Sequence, residues 1–333
     1  MLYARNSQNQ NVWAGSALKG DQYRCPFCNC EVLLKNGQII TPHFAHYKRN
    51  HLYCQKSETH EHYNLKYCIA QKLKKLNYKV SIEPYIPDSY QYPDLIIDDA
   101  IAIEIQFSSE VVAHIVRRSR SLQNIGYKVI WIIKNVKYNI KTCVLYLSNY
   151  ERNFINSHNR LLFSWDAIHD KFYVYRIVYF LGGQRFIAKR YLLEIDDLIN
   201  FIQSAEAFQC PTQSIKLTRK SIYHYINQCR KARSVLEPSL SVMYNLRLTD
   251  EWVSRYLGIV FPEQIFIKSH PIYWQLQLMY FLRNHTLQIG AFQSLLKFNR
   301  FYNEDIDTMQ ITYNVVQSFK QFYGIHGCYS VQN

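Results

Sequence analysis

The stretch Tyr92 to Phe107, reading YPDLIIDDAIAIEIQF, constrains this chain more than any other. Two β-rich runs, PDLII and AIAIEIQF, flank Asp98-Asp99, which is the pattern of a β-hairpin. In the second run Glu104 and Gln106 share one face of the strand, while Ile103, Ile105 and Phe107 take the other. A turn over residues 98–100 brings Asp94 opposite Glu104, with their Cβ atoms roughly 5 Å apart. Two carboxylates at that separation repel each other, and a divalent cation between them reverses the sign. Mg²⁺ is held in this way, by one or two carboxylates plus water and phosphate oxygens. Asp94 and Glu104 are therefore candidate ligands for Mg²⁺ or Mn²⁺, with Gln106 beside them.

The flanking segments build a core around the hairpin. Ser57 can cap a helix through SETHEHYNLKYCIAQKLKKLN, in which Leu65, Ile69, Leu73 and Leu76 form one stripe. Glu58 and His62 fall on the same stripe, and Lys66 lies near its edge. Charged groups on a buried stripe are costly unless paired or used, so Glu58 and His62 are expected to point at the hairpin carboxylates. KVSIEPYI is a strand stopped by Pro84 and Pro87. After the hairpin, SSEVVAHIVRRSRSLQNIGY reads as a helix from Ser108-Ser109 to Gly126, with Arg117, Arg118 and Arg120 as a basic flank. KVIWII is a buried strand. The order is helix, three strands, helix, strand.

A smaller module precedes this core. Cys25 and Cys28 form a C-x2-C knuckle in CPFCNC, and His43 and His46 follow as H-x2-H, with Cys54 shortly after. Two thiolates and two imidazoles meet the tetrahedral demand of Zn²⁺. The H-x2-H spacing is tight, which leaves the fourth ligand open between His46, Cys54, Cys30 and His51. Between the pairs, EVLLKNGQII has a turn at Asn36-Gly37 and reads as a hairpin. A module this small leans on its metal for stability, so the zinc is expected to be structural.

The αβββαβ order, with Pro93-Asp94 and Glu104-Ile105-Gln106 on the second and third strands, resembles the PD-(D/E)xK nuclease superfamily. MLYA, YRCPFC, HFAH, the E-x3-H-x3-K run Glu58, His62 and Lys66, PDLII, IAIEIQFS and GYKVIWII together resemble the competence protein CoiA family. That resemblance covers roughly the first 135 residues. It implies a cytoplasmic protein of natural competence that acts on incoming single-stranded DNA and promotes its recombination, with recombination proteins as candidate partners. Asp94, Glu104, Gln106, Glu58 and His62 are then the candidate catalytic group. Many superfamily members carry lysine at the position of Gln106. Glutamine can hydrogen-bond a water but cannot titrate; His62 or Lys66 can substitute. The alternative is a catalytically inactive DNA-binding recombination mediator on a nuclease scaffold.

Charge agrees with a nucleic-acid partner: the formal net charge is +14. No stretch approaches the ~20 apolar residues of a membrane span. The nine cysteines are an odd number and read as reduced thiols plus metal ligands, in keeping with the cytoplasm. The expected class is mixed α/β (α+β), with three parts: a zinc-binding module over 1–56, a restriction-endonuclease-like domain over 57–150, and a C-terminal domain over 151–333. In the last, KFYVYRIVYF and QRFIAKRYLLEI form a long hairpin about Gly182-Gly183, followed by helices whose aromatic stripes are core.

Overall fold

Short alternating runs at the start of the chain pair into an antiparallel sheet. Its strands are β1 (Tyr3–Arg5), β2 (Asn11–Trp13), β3 (Tyr23–Arg24), β4 (Glu31–Lys35) and β5 (His43–His46), in the order β2-β1-β3-β4-β5. Ala4, Tyr23, Val32 and Phe44 bury one side of it, and the Tyr23 and Phe44 rings meet at 4.8 Å. The computed structural model describes residues 1–26, 28–37, 42–47, 60–204, 211–232, 234 and 236–325. The expected second run after Asn36-Gly37 falls largely on residues outside these; the strand paired with β4 is β5, with Lys35 opposite His43 and Val32 opposite His46.

Next come α1 (His60–Lys75), β6 (Val80–Ile82), β7 (Leu95–Ile97), β8 (Ile101–Gln106), α2 (Val112–Asn124) and β9 (Lys128–Lys134), the expected αβββαβ order. Leu65, Ile69 and Leu73 of α1 are buried as the stripe predicts. Leu76 lies one residue past the helix end and is 44% exposed. α2 begins later than Ser108-Ser109. The Ser108 carbonyl, which a helix starting there would use for its own ladder, instead accepts from Gln106 Nε2 at 2.5 Å. Gly126 ends the segment at φ +97°, a conformation glycine adopts without strain.

β6, β7 and β8 are antiparallel, and β9 lies parallel to β8 across the α2 crossover. Five residues of β8 and five of β9 are buried, as central strands covered on both faces must be. Each fully buried Ile or Leu in them contributes about 1.5–3 kcal/mol. The β7–β8 register pairs Leu95 with Ile103 and Ile97 with Ile101. One step further along it, Asp94 falls opposite Glu104, as the turn length requires.

Past β9 the chain forms β10 (Lys137–Asn139), β11 (Val144–Tyr146), β12 (Leu161–Asp166), β13 (Lys171–Gly182), β14 (Arg185–Leu193) and α3 (Leu198–Ser204). It divides into two units: Met1–Asn135 with Phe163–Tyr173 and Leu192–Gln203, and Val136–Leu162 with Val174–Tyr191 and Ser204–Asn333. The N-terminal sheet and the αβββαβ core fall in the same unit, where β12 extends the mixed sheet by pairing parallel with β9. In the second unit β11 pairs with β10 and β14, and Gly182-Gly183 turns β13 into β14.

The remainder of the second unit holds β15 (Ile215–Lys216), α4 (Arg219–Lys231), α5 (Pro238–Asn245), α6 (Asp250–Tyr256), β16 (Ile259–Val260), α7 (Pro271–Arg283), α8 (Ile289–Ser294) and α9 (Thr308–Phe322). Trp274, Leu276, Leu278, Phe292 and Phe319 form its core, so the aromatic stripe of α7 is packing. Among the described residues no helix is long and apolar enough to cross a membrane.

Candidate active site

The N-terminal sheet assembles a three-donor cluster. The Cys25–Cys30 turn is closed by Asn29 N–H donating to Cys25 O at 2.9 Å and Cys25 N–H donating to Cys30 O at 2.8 Å, with Asn29 at φ +57°. This knuckle and β5 bring donor atoms of Cys25, Cys28 and His46 within 4.8 Å of one another, and Cys28 Sγ lies 3.2 Å from His46 Nε2. His43 does not join this group; its ring stacks on Tyr63 of α1 at 5.4 Å. Residues three apart on a strand point to opposite faces, so the H-x2-H pair cannot converge on one ion while β5 stays regular. Cys30 is likewise outside the group of three, and Cys54 and His51 lie outside the described residues. Soft thiolates with an imidazole are a donor set that suits zinc.

The second cluster gathers on β6, β7, β8, α1 and α2. Asp94 is 3% and Glu104 1% exposed. Just past the β7 ladder, Asp94 Oδ2 accepts from the Ile105 amide at 2.8 Å, standing in for a backbone carbonyl. Its other oxygen lies 2.8 Å from Lys66 Nζ, and His62 Nε2 lies 3.2 Å from Oδ2. α1 supplies both groups one turn apart, and the His62 ring also meets Phe107 at 5.7 Å. Lys66 is fully buried, deeper than its edge position on the stripe implies. It donates to Glu83 Oε1 at 2.7 Å as well.

Glu104 is held from the other side. Arg118 Nη2 on α2 donates to both of its carboxylate oxygens at 2.8 Å. Glu104 holds the Arg118 guanidinium above its ordinary proton affinity against the opposing cost of burial, with Asp94 and Glu110 adding to the effect. Gln106, on the Glu104 face of β8, gives its amide to Ser108 O. Glu58 lies outside the described residues.

Two members of this cluster escaped the sequence reading. Glu83 is buried and enters through the β6–β7 register, where its amide donates to Asp94 O at 3.0 Å. The signal was its place opposite Asp94 when KVSIE and PDLII are aligned as a hairpin. Arg118 belongs to a run that looks like a basic flank, yet it is half-buried beside the stripe of Ile115, Ser119 and Leu122 that α2 buries.

Three buried carboxylates thus face two fixed cations, Lys66 and Arg118, a balance that attracts further positive charge. Glu83 Oε2 is buried with no hydrogen-bond partner among the described residues. Hard carboxylate oxygens, one of them unsatisfied, suit Mg²⁺ or Mn²⁺.

Residues 7–56 match the family model described as competence protein CoiA, N-terminal domain, and residues 58–206 match competence protein CoiA, nuclease-like domain. Together they span more than half of the chain. No curated protein and no solved structure matches it.

Proposed function

The chain belongs to the competence protein CoiA family, and on that premise we propose that its Asp94–Glu104 centre is a divalent-metal site acting on single-stranded DNA bound for recombination. The observation that carries this reading is the opposition of two buried carboxylates, with Lys66 against one of them. Asp94 and Glu104 would hold the cation, with Glu83 Oε2 as a further donor. When bound, a divalent ion polarises the scissile phosphate and lowers the pKa of a coordinated water. Lys66 supplies the positive charge that lysine at the position of Gln106 supplies in other nucleases. It also fixes Asp94 Oδ1, leaving Oδ2 to the Ile105 amide and His62. His62, its Nε2 at 3.2 Å from Asp94 Oδ2, is the imidazole that α1 places at the centre and the candidate acid–base group. Gln106 acts on β8 by ordering the entry to α2 through Ser108.

Cys25, Cys28 and His46 are proposed to hold a structural Zn²⁺, with Cys54 as the candidate fourth ligand. DNA is the proposed partner, in keeping with the net charge of +14, and the proposed compartment is the cytoplasm.

A specific observation favours a second reading, a DNA-binding mediator without cleavage. Both oxygens of Glu104 are engaged by Arg118, and Gln106 has given its amide to the backbone. The two readings separate in one assay: cleavage of end-labelled single- and double-stranded oligonucleotides in Mn²⁺ by wild type, Asp94→Asn and Glu104→Gln. The nuclease reading expects cleavage by wild type alone, abolished by EDTA. Equal cleavage by all three proteins contradicts it. Salt-dependent binding without cleavage under any divalent ion selects the mediator.

A further inference from the structure

The β6–β7 connection is an arm built to a defined shape. The ladder that pairs Val80 with Ile97 and Ile82 with Leu95 continues through the Glu83–Asp94 pair to a bridge between Ile86 and Gln91. There the amides and carbonyls exchange hydrogen bonds at 2.8 and 3.4 Å. A single 3₁₀ turn, Pro87–Ser89, closes the tip. Pro84, Pro87 and Pro93 stiffen the arm by fixing φ at three of its positions.

Two of its aromatic residues, Tyr85 and Tyr90, are exposed. In the same register Tyr85 falls opposite Tyr92, and their rings meet at 5.0 Å, tilted by 40°. Tyr85 is 46% exposed and Tyr90, at the tip, 83%. Tyr90 stands at φ +53°, a left-handed conformation that Asn or Gly adopts more cheaply than a bulky residue. Turn chemistry alone would not select tyrosine there. The Tyr85–Tyr92 pair lies two ladder positions beyond Glu83–Asp94, so exposed aromatic surface begins, at Tyr85, where the buried acidic cluster ends.

We propose that the arm over residues 84–93 is a base-stacking platform for single-stranded nucleic acid, which delivers the strand to the Asp94–Glu104 centre. The inference rests on the nucleic-acid reading above and specifies how the strand is recognised. Exposed aromatic faces accept any base, because every base offers a π-face, while a paired duplex keeps its bases stacked internally. A positively charged chain provides the attraction for the backbone. The arm itself has Asp88 as its one charged residue between Pro84 and Pro93. Its contribution is therefore stacking rather than phosphate neutralisation.

The test is fluorescence anisotropy with the full chain, without divalent metal, on a labelled oligothymidylate and on an abasic oligonucleotide of the same length and charge. The platform predicts that wild type prefers the oligothymidylate. It also predicts that Tyr85→Ala and Tyr90→Ala each weaken that binding by about fivefold or more and leave abasic binding unchanged, while Tyr85→Phe and Tyr90→Phe retain wild-type affinity. Tyr90→Asn, which suits the left-handed backbone, must lose affinity as Tyr90→Ala does, so that misfolding is not the cause. If wild type binds both oligonucleotides equally, or the alanine variants lose nothing or lose equally on both, the platform is overturned and the nucleic-acid reading stands. If wild type binds neither, both fall.

Discussion

Arg118 Nη2 is 2.8 Å from each carboxylate oxygen of Glu104, and Glu104 is 1% exposed. Removing one partner of such a pair strands the other as a buried charge. Arg118→Met is therefore expected to destabilise the protein by roughly 3 kcal/mol, read by urea denaturation. Adding Glu104→Gln to Arg118→Met recovers most of that loss. A single variant as stable as wild type would mean that Glu104 is balanced from elsewhere.

Lys66 is the counterpart on α1. It touches both Glu83 and Asp94, so Lys66→Met removes the buried cation that these two carboxylates share. A loss of roughly 3–5 kcal/mol is expected. Millimolar Mn²⁺ should restore part of it, because binding only to the folded state stabilises that state. Thermal melts with and without Mn²⁺ check this, and a variant indifferent to the ion contradicts it.

The two histidines of β5 should behave differently. His46→Ala, like Cys25→Ser and Cys28→Ser, is expected to yield protein without zinc by elemental analysis. His43→Ala is expected to keep its zinc and to lose the stacking on Tyr63, worth about 1 kcal/mol. Zinc loss in both histidine variants would mean that β5 rearranges around the ion.

Stability in acid should depend on His270, the residue capping α7. Its ring lies face to face with Tyr225 at 4.0 Å, and a Cβ at Gly182 would come within 2.4 Å of it. Although the residue keeps some exposed surface, the ring is enclosed. Burial, aided by Arg185, pushes its pKa from the usual 6.5 down to about 3. The unfolded chain takes up a proton as pH falls through 6.5 and the native ring does not. The contribution is therefore complete above that pH and is lost toward pH 3, at about 1.4 kcal/mol per unit. His270→Asn, which still caps the helix, should flatten that part of the stability profile. An unchanged profile would show that the ring charges in place.

Much of the centre was legible because a strand repeats every two residues. A hairpin turn of fixed length at Asp98–Ala100 dictates that Asp94 meets Glu104, and the helical stripe aims His62 at the same point. Glu83 was missed because its partner is set by the register of a longer, proline-rich connection that local pattern does not fix. Arg118 was hidden by Arg117 and Arg120, since a run of like charges looks solvated whichever member turns toward a buried carboxylate. The His43–His46 pair shows the opposite case: only His46 joins Cys25 and Cys28 among the described residues. Close spacing in sequence suggests convergence, whereas a strand sends residues three apart to opposite faces. The C-terminal helices were visible as periodicity, but nothing local marks which pack together.

The most direct test of the central claim is anomalous diffraction from crystals soaked in Mn²⁺. The account predicts an anomalous peak bonded to carboxylate oxygens of both Asp94 and Glu104, absent from crystals of the Asp94→Asn protein. A saturating soak that leaves no ion between Asp94 and Glu104, with Arg118 still engaging both oxygens of Glu104, would contradict it.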